Sequence, residues 1–226
     1  MSTEQNQPAH FNKGIVWGKV VSATEDEMHD KNFPDDPEKK IVCCNLQLSC
    51  INDFGKVNIF GKIMQEAPAK RFLAEANAGK TLRLEGVFSQ YKDRTGAMKS
   101  NYNFFEWDPC PKKDLTDLRA VFILVGRVDD IRYNLDGAPL IVLTTETHKA
   151  TKTYKNTFSL AIDEGREREF TPGEVFRVKG ALRGTEDQFG DTTAIRPLIL
   201  EFGPANSIPQ GVPVPPAAEG EGKTPF

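Results

Sequence analysis

Two segments of this chain spell the same pattern, and that duplication limits the folds open to it more than any single residue does. Gly79-Lys80-Thr81-Leu82-Arg83-Leu84-Glu85-Gly86 and Gly173-Glu174-Val175-Phe176-Arg177-Val178-Lys179-Gly180 both read G-x-x-[L/F]-R-[L/V]-x-G. A second pair precedes them in the same order, Val16-Trp17-Gly18-Lys19-Val20 and Leu124-Val125-Gly126-Arg127-Val128. Either motif alone fits many β proteins. Two motifs recurring in one order imply a β unit used twice, and an internal repeat decides architecture ahead of local detail. The length of 226 residues accommodates two small units, each large enough for its own core.

A unit of this size, with a glycine in its first strand and one on each side of a later strand, resembles the OB-fold. That fold is a five-stranded Greek-key barrel whose strand 2 and 3 face and adjoining loops bind oligonucleotides or oligosaccharides. Closing so small a barrel bends strands sharply, and interior glycines mark such bends. The expected class is therefore all-β: two tandem OB-fold-like units over residues 11–108 and 118–202, then a disordered tail over 203–226.

In the first unit, strands are expected over Gly14–Ser22, Lys40–Cys50, Lys56–Lys62, Thr81–Gln90 and Lys99–Trp107. An acidic loop from Thr24 to Lys39 is interrupted by Pro34 and Pro37, which break regular structure. Helical spacing of Phe72, Leu73 and Ala76 predicts one helix over Ala67–Ala78, between strands three and four. Turn chemistry marks Asn52–Gly55, Tyr91–Gly96 and Asn134–Gly137, and Asp108–Lys113 reads as a linker. The second unit gives strands over Ala120–Ile131, Leu140–Thr147, Thr153–Ile162, Phe176–Arg183 and Thr193–Phe202. Its Asp163–Thr171 segment is long enough for only about one helical turn.

Composition narrows function by exclusion. No apolar run approaches the ~20 residues that span a bilayer. The opening Met1-Ser2-Thr3-Glu4-Gln5-Asn6 lacks the basic and apolar stretches of a secretory signal, so a cytoplasmic protein without membrane partners is expected. Cys43, Cys44, Cys50 and Cys110 form no C-x-x-C pair or Cys/His cluster, and His10, His29 and His148 are scattered. No metal or cofactor is expected, and the thiols read as reduced and buried. There is no P-loop, no convincing acid pair and no Ser/His/Asp set, so no enzyme activity is expected.

The formal net charge of −3 at first weighs against a nucleic-acid partner, whose usual footprint is basic. The acids, however, gather at Glu25-Asp26-Glu27, Asp35-Asp36, Asp129-Asp130 and Asp163-Glu164, at strand ends or in loops, while Lys and Arg recur inside the first unit's strands. A groove can be positive on a protein that is negative overall. Period-two alternation in strand three places Val57 and Ile59 inward and Lys56, Asn58, Phe60 and Lys62 outward. On strand two, Val42, Cys44, Leu46 and Leu48 point inward, leaving Asn45 and Gln47 on the same platform.

Aromatics there can stack on bases while lysines neutralise phosphates, which is how strands are gripped without sequence preference. The strand four to five hairpin adds Tyr91, Lys92, Arg94, Lys99 and Tyr102, and strand one adds Trp17 and Lys19. Phe88, Phe104 and Phe105 are assigned to the core. In the second unit, Arg127, Arg132, Tyr133, Lys149, Lys152 and Arg183 are the candidates for contact, but the outward face of strand three, with Thr153, Lys155, Thr157 and Ser159, lacks an aromatic. Affinity is therefore expected to come mainly from the first unit.

The Pro-Gly-Ala-rich tail cannot bury a core. It ends Glu219-Gly220-Glu221-Gly222-Lys223-Thr224-Pro225-Phe226. Acidic residues followed by Pro225-Phe226 resemble the tail tip of bacterial and bacteriophage single-stranded DNA-binding proteins, although the acid run here is shorter and carries a Lys. The resemblance implies a protein, of a phage or mobile element, that coats single-stranded DNA in replication, recombination or repair. It also implies recruitment of partner enzymes through the tail. An OB-fold binder of RNA, or a scaffold for protein partners, shares the same sequence features, because stacking on single strands is common to DNA and RNA.

Overall fold

The computed structural model describes residues 10–30, 33, 35–52, 55–111, 117–149, 152–186 and 192–205. The tail tip and the residues at the Asn52–Gly55 turn's centre lie outside them. Among the described residues, ten strands form two closed five-stranded barrels. The first contains β1 (Phe11–His29), β2 (Lys40–Asn52), β3 (Gly55–Ile63), β4 (Thr81–Lys92) and β5 (Met98–Pro109), with helix α1 (Glu66–Ala74) between β3 and β4. The second contains β6 (Ala120–Tyr133), β7 (Pro139–Lys149), β8 (Lys152–Ala161), β9 (Val175–Glu186) and β10 (Thr192–Pro204). A single 3-10 turn, Arg166–Glu169, stands where the first barrel carries α1.

The barrels close in the same way. In the first, β1 pairs antiparallel with β2 and β4, and a short parallel contact joins β3 to β5 at Gly61–Tyr102 and Lys62–Asn103. In the second, β6 pairs with β7 and β9, and β8 meets β10 in parallel at Ala161–Leu198.

The sequence repeat is matched bond for bond. Gly79 N–H donates to Val20 O at 2.8 Å while Val20 N–H donates to Lys80 O at 2.9 Å; Gly173 donates to Val128 O at 2.7 Å while Val128 donates to Glu174 O at 2.9 Å. Both opening glycines have positive φ, +83° and +92°, a conformation that costs a residue with a Cβ. The closing glycines sit against the next strand. A Cβ on Gly86 would lie 2.1 Å from Asn103 O, and one on Gly180 2.3 Å from Leu198 O.

Three sequence expectations are corrected. β1 does not end near Ser22: it continues through the acidic stretch to His29, pairing Thr24 with Asn45 and His29 with Lys40. None of Thr24–His29, the β1 side of this arm, is buried, so that stretch shows no apolar alternation and read as loop. Helix α1 stops at Ala74 because Ala76 turns left-handed at φ 49° and the Asn77 amide donates to Phe72 O at 3.2 Å. Finally, Phe105 is exposed, displaced to the surface at a bulge where β5 passes Gly86.

Most of the buried hydrophobic residues form one continuous cluster running through both barrels. Strand β1 is the link: after pairing with β4 through Gly14–Gly86, its outer end pairs with β6 from Phe11–Val125 to Val16–Ala120. At this fork the Asn12 amide takes the place of a neighbouring strand, donating to Phe88 O at 2.8 Å and accepting from Phe88 N–H at 3.1 Å. Gln90 does the same for β8, donating to Ser159 O at 3.2 Å and accepting from Ser159 N–H at 2.7 Å. Between these amides the Phe88 ring stacks on Phe122 and Phe158, with centroids 4.8 and 5.5 Å away.

Candidate nucleic-acid interface

Strands β1, β2 and β3 carry a polar, partly aromatic outer face whose members are set by register. Cross-strand pairing puts Gln47 beside Phe60, Asn45 beside Lys62 and Ser49 beside Asn58. On the other side of β2, Lys19 pairs with Ser49 and Ser22 with Gln47. Inward, Cys44, Leu46, Leu48, Cys50, Val57 and Ile59 are buried, so the alternation read from the sequence holds on β3 and on β2 from Cys44 onward; at the arm it breaks, with Val42 only partly buried and Cys43, on the other side, fully buried. Phe60 stands 58% exposed on this face, a cost in water that a stacked base would remove.

The face continues onto the next strands. Lys62 lies beside Asn103, and the β4–β5 ladder pairs Asn103 with Val87, Asn101 with Ser89 and Lys99 with Tyr91. Tyr91 is 54% exposed near the hairpin end. The hairpin is held by Asp93, whose Oδ1 accepts from Thr95 N–H at 2.8 Å and Ala97 N–H at 3.0 Å. The hydrogen bond from Thr95, with those backbone donors, keeps the Asp93 carboxyl below the usual carboxylate range. Arg94 projects from the tip, and Lys92 points to the opposite side of the hairpin from Tyr91. Lys19, Lys92 and Arg94 make no ion pair among the described residues, whereas Lys99 lies 3.9 Å from Asp93.

Tyr102 does not belong to this face. It is wholly buried, stacks on Phe104 at 5.7 Å and donates to Val121 O at 3.4 Å, which makes it part of the joint between barrels. Trp17 is half-buried at the same seam, its ring covered by Arg119 at 5.3 Å and Arg83 at 5.9 Å. Its indole N–H is buried without a partner among the described residues. Trp107 packs edge-on against Phe72 at 5.0 Å and donates to Glu75 at 2.8 Å, anchoring α1.

In the second barrel the corresponding cations are paired within the chain. Arg127 contacts Asp129 at 3.1 Å, Arg132 contacts Asp130 at 2.8 Å and Lys155 contacts Glu146 at 3.0 Å. Asp129 also accepts from the Thr144 hydroxyl at 2.6 Å. Tyr133 is exposed at the β6–β7 hairpin, and Arg183 is exposed on β9. Pro225 and Phe226 lie outside the described residues.

Sequence reasoning missed Asn101, Asn103 and Phe105 on the outer face. The signal was present: in Lys99-Ser100-Asn101-Tyr102-Asn103-Phe104-Phe105, outward and inward positions alternate from Lys99 to Phe104. It also missed Asp26, which sits among the cations, and Phe33, exposed beyond the arm with Lys39 5.3 Å over its ring.

No protein-family model matches this sequence, and no curated protein matches it. Among the solved structures that resemble the fold are two of the single-stranded DNA-binding protein from Thermus aquaticus. The wild-type structure superposes with a TM-score of 0.56 at 16% identity, covering 91% of this chain and 96% of that one. A deletion mutant gives 0.53 at 17% identity, covering 92% and 98%. Over nearly its whole length, then, the chain shares its fold with the single-stranded DNA-binding protein of Thermus aquaticus.

Proposed function

We propose that this protein binds single-stranded DNA without sequence preference, holding it across the outer face of β1–β2–β3 and the β4–β5 hairpin. The observation that carries the reading is Phe60, exposed and flanked by Gln47, Asn58 and Lys62 on a polar face. The fold likeness to a single-stranded DNA-binding protein supports the same reading. Phe60 and Tyr91 stack bases, Lys19, Lys56, Lys62, Lys99 and Arg94 neutralise phosphates on this face, with Lys92 reaching the strand only where it rounds the hairpin, and Asn45, Gln47 and Asn58 bond bases or sugars. The second barrel, its cations largely paired, adds contacts from Arg127, Tyr133 and Arg183. The two barrels act as linked binding units and the tail, through Pro225 and Phe226, recruits replication, recombination or repair proteins. Binding involves no turnover, and the strand is protected in an extended form.

Anisotropy of labelled oligo(dT), set against duplex DNA of equal length, tests this. Phe60→Ala and Tyr91→Ala are each expected to weaken oligo(dT) binding by roughly 5- to 100-fold, the worth of one base–aromatic stack. Tyr133→Ala with Arg183→Ala should cost much less. Equal losses from both pairs would move the site off the first barrel, and equal binding of duplex would end the single-strand reading. Competition by an RNA oligonucleotide of the same length decides between DNA and RNA.

A further inference from the structure

On the β1–β2–β3 part of the proposed binding face, the Asp26 carboxylate holds two of the polar side chains assigned to binding. Asp26 Oδ2 accepts from Lys62 Nζ at 3.1 Å and from Asn45 Nδ2 at 3.0 Å, while Oδ1 accepts from the Glu27 N–H at 2.9 Å. Lys62 comes from β3, Asn45 from β2 and Asp26 from the β1 arm, so three strands converge on one carboxylate. Beneath it the Cys43 thiol donates to Asp26 O at 3.4 Å. The bonds from Asn45 and Lys62 hold the Asp26 carboxyl below the usual carboxylate range. Burial alone would lower the Lys62 ammonium, but the bond to Asp26, joined by Cys43 and the Asp26 charge, outweighs it and leaves the amine above its ordinary value.

This arrangement is an anion seat, an ammonium and an amide N–H aimed at one point, filled by the chain's own carboxylate. A phosphodiester oxygen offers the same donors the same kind of acceptor. The Asp26 side chain is 43% exposed and lies where the arm is solvated, so a rotamer change suffices to vacate the seat. We propose that Lys62 Nζ and Asn45 Nδ2 form a backbone-phosphate subsite of the single-strand face, and that Asp26 is its resident competitor, displaced as the strand binds. Asp26 thereby weakens binding and flattens its salt dependence, because a phosphate that enters a neutral Lys62–Asp26 pair gains little net neutralisation. The inference rests on the single-strand reading above.

The test measures oligo(dT) affinity of the full chain across a salt series for wild type, Asp26→Asn, Asp26→Ala and Phe60→Ala, with melting curves confirming that each is folded. Both Asp26 variants are expected to bind roughly two- to fivefold tighter at low salt, the scale of one exposed ion pair. The slope of log K against log salt should steepen by about 0.7, one further phosphate neutralised. Adding Lys62→Gln should reverse both effects in the Asp26→Asn background while barely altering the slope in wild type. If the Asp26 variants bind no tighter while Phe60→Ala still weakens binding, Asp26 merely positions Lys62 and the competitor role is wrong. If wild type itself binds no oligo(dT), the single-strand reading fails first and takes this inference with it.

Discussion

Cys50 shows how tightly single side chains are specified. It packs inside the first barrel, and its thiol donates to Trp17 O at 3.4 Å; burial pushes its pKa up to about 12, and that of Cys44 to about 11, from an ordinary 9.0. A thiol that ionises later in the folded chain than in the unfolded one supports folding fully below pH 9. That support is lost between about pH 9 and 12 as the unfolded chain releases its proton. Denaturant titrations from pH 8 to 11 should therefore show wild type losing up to about 1.4 kcal/mol more per pH unit than Cys50→Ala above pH 9. Parallel pH profiles would mean that the Cys50 thiol is not shielded in the folded chain. At the same scale, the face was half legible in the sequence. Phe60, Lys62, Asn45 and Gln47 followed from alternation alone, since both β2 and β3 have one apolar side. Tyr102 was misplaced because Lys99 and Tyr102 differ by an odd number of residues and cannot share a face of an unbroken strand. Phe104 and Phe105 cannot both turn inward without a break either, and the bulge at Gly86 supplies it.

Among the elements, the repeated glycine strands β4 and β9 bend both barrels. Each closes with a glycine pressed against the partner strand's carbonyl, Asn103 O for Gly86 and Leu198 O for Gly180. A methyl group at either position meets backbone and cannot be accommodated by a rotamer change. Gly86→Ala and Gly180→Ala should therefore each destabilise the chain by at least the 1–3 kcal/mol typical of overpacking, read as a lowered denaturation midpoint. Gly96→Ala, in an open turn with φ +86°, should cost only the smaller strain of a left-handed residue. Equal midpoints for all three would remove the close approach from the explanation of the repeat. These strands were legible because closing a barrel demands glycine at fixed points. The β1 arm was not, because its Thr24–His29 stretch has no buried residue and so no hydrophobic period to read, and its Glu25-Asp26-Glu27 run has the composition of a loop.

At the scale of the whole molecule, the sequence suggested two units with a core each, whereas most of the buried hydrophobic residues form one cluster. What joins them is invisible to pattern: Phe88 is inward-facing on its own strand, and nothing in the sequence says that the space it enters belongs also to Phe122 and Phe158. Asn12 and Gln90 are ordinary polar residues until their amides are seen bonding the backbone of Phe88 and Ser159. A β1–β6 ladder, a shared aromatic stack and the strand-mimicking amide of Gln90 tie the barrels far more closely than a linker would. Unfolding one barrel would strip partners from the other, so the chain should melt in one calorimetric transition whose van't Hoff and calorimetric enthalpies agree. Phe88→Ala removes the ring common to both cores, at a cost of about 3–5 kcal/mol for a fully buried aromatic. Combined with Gln90→Ala, it should split the melt into two transitions. Two transitions already present in wild type, or a double variant that still melts as one, would mean that the joint does not couple the barrels. Coupled barrels would also hold the β4–β5 hairpin, and with it Tyr91, at a fixed distance from β8. A strand leaving the first barrel at Tyr91 would then meet the second without a search, and in the double variant oligo(dT) long enough to span both barrels should lose affinity while an oligomer short enough for the first alone should not.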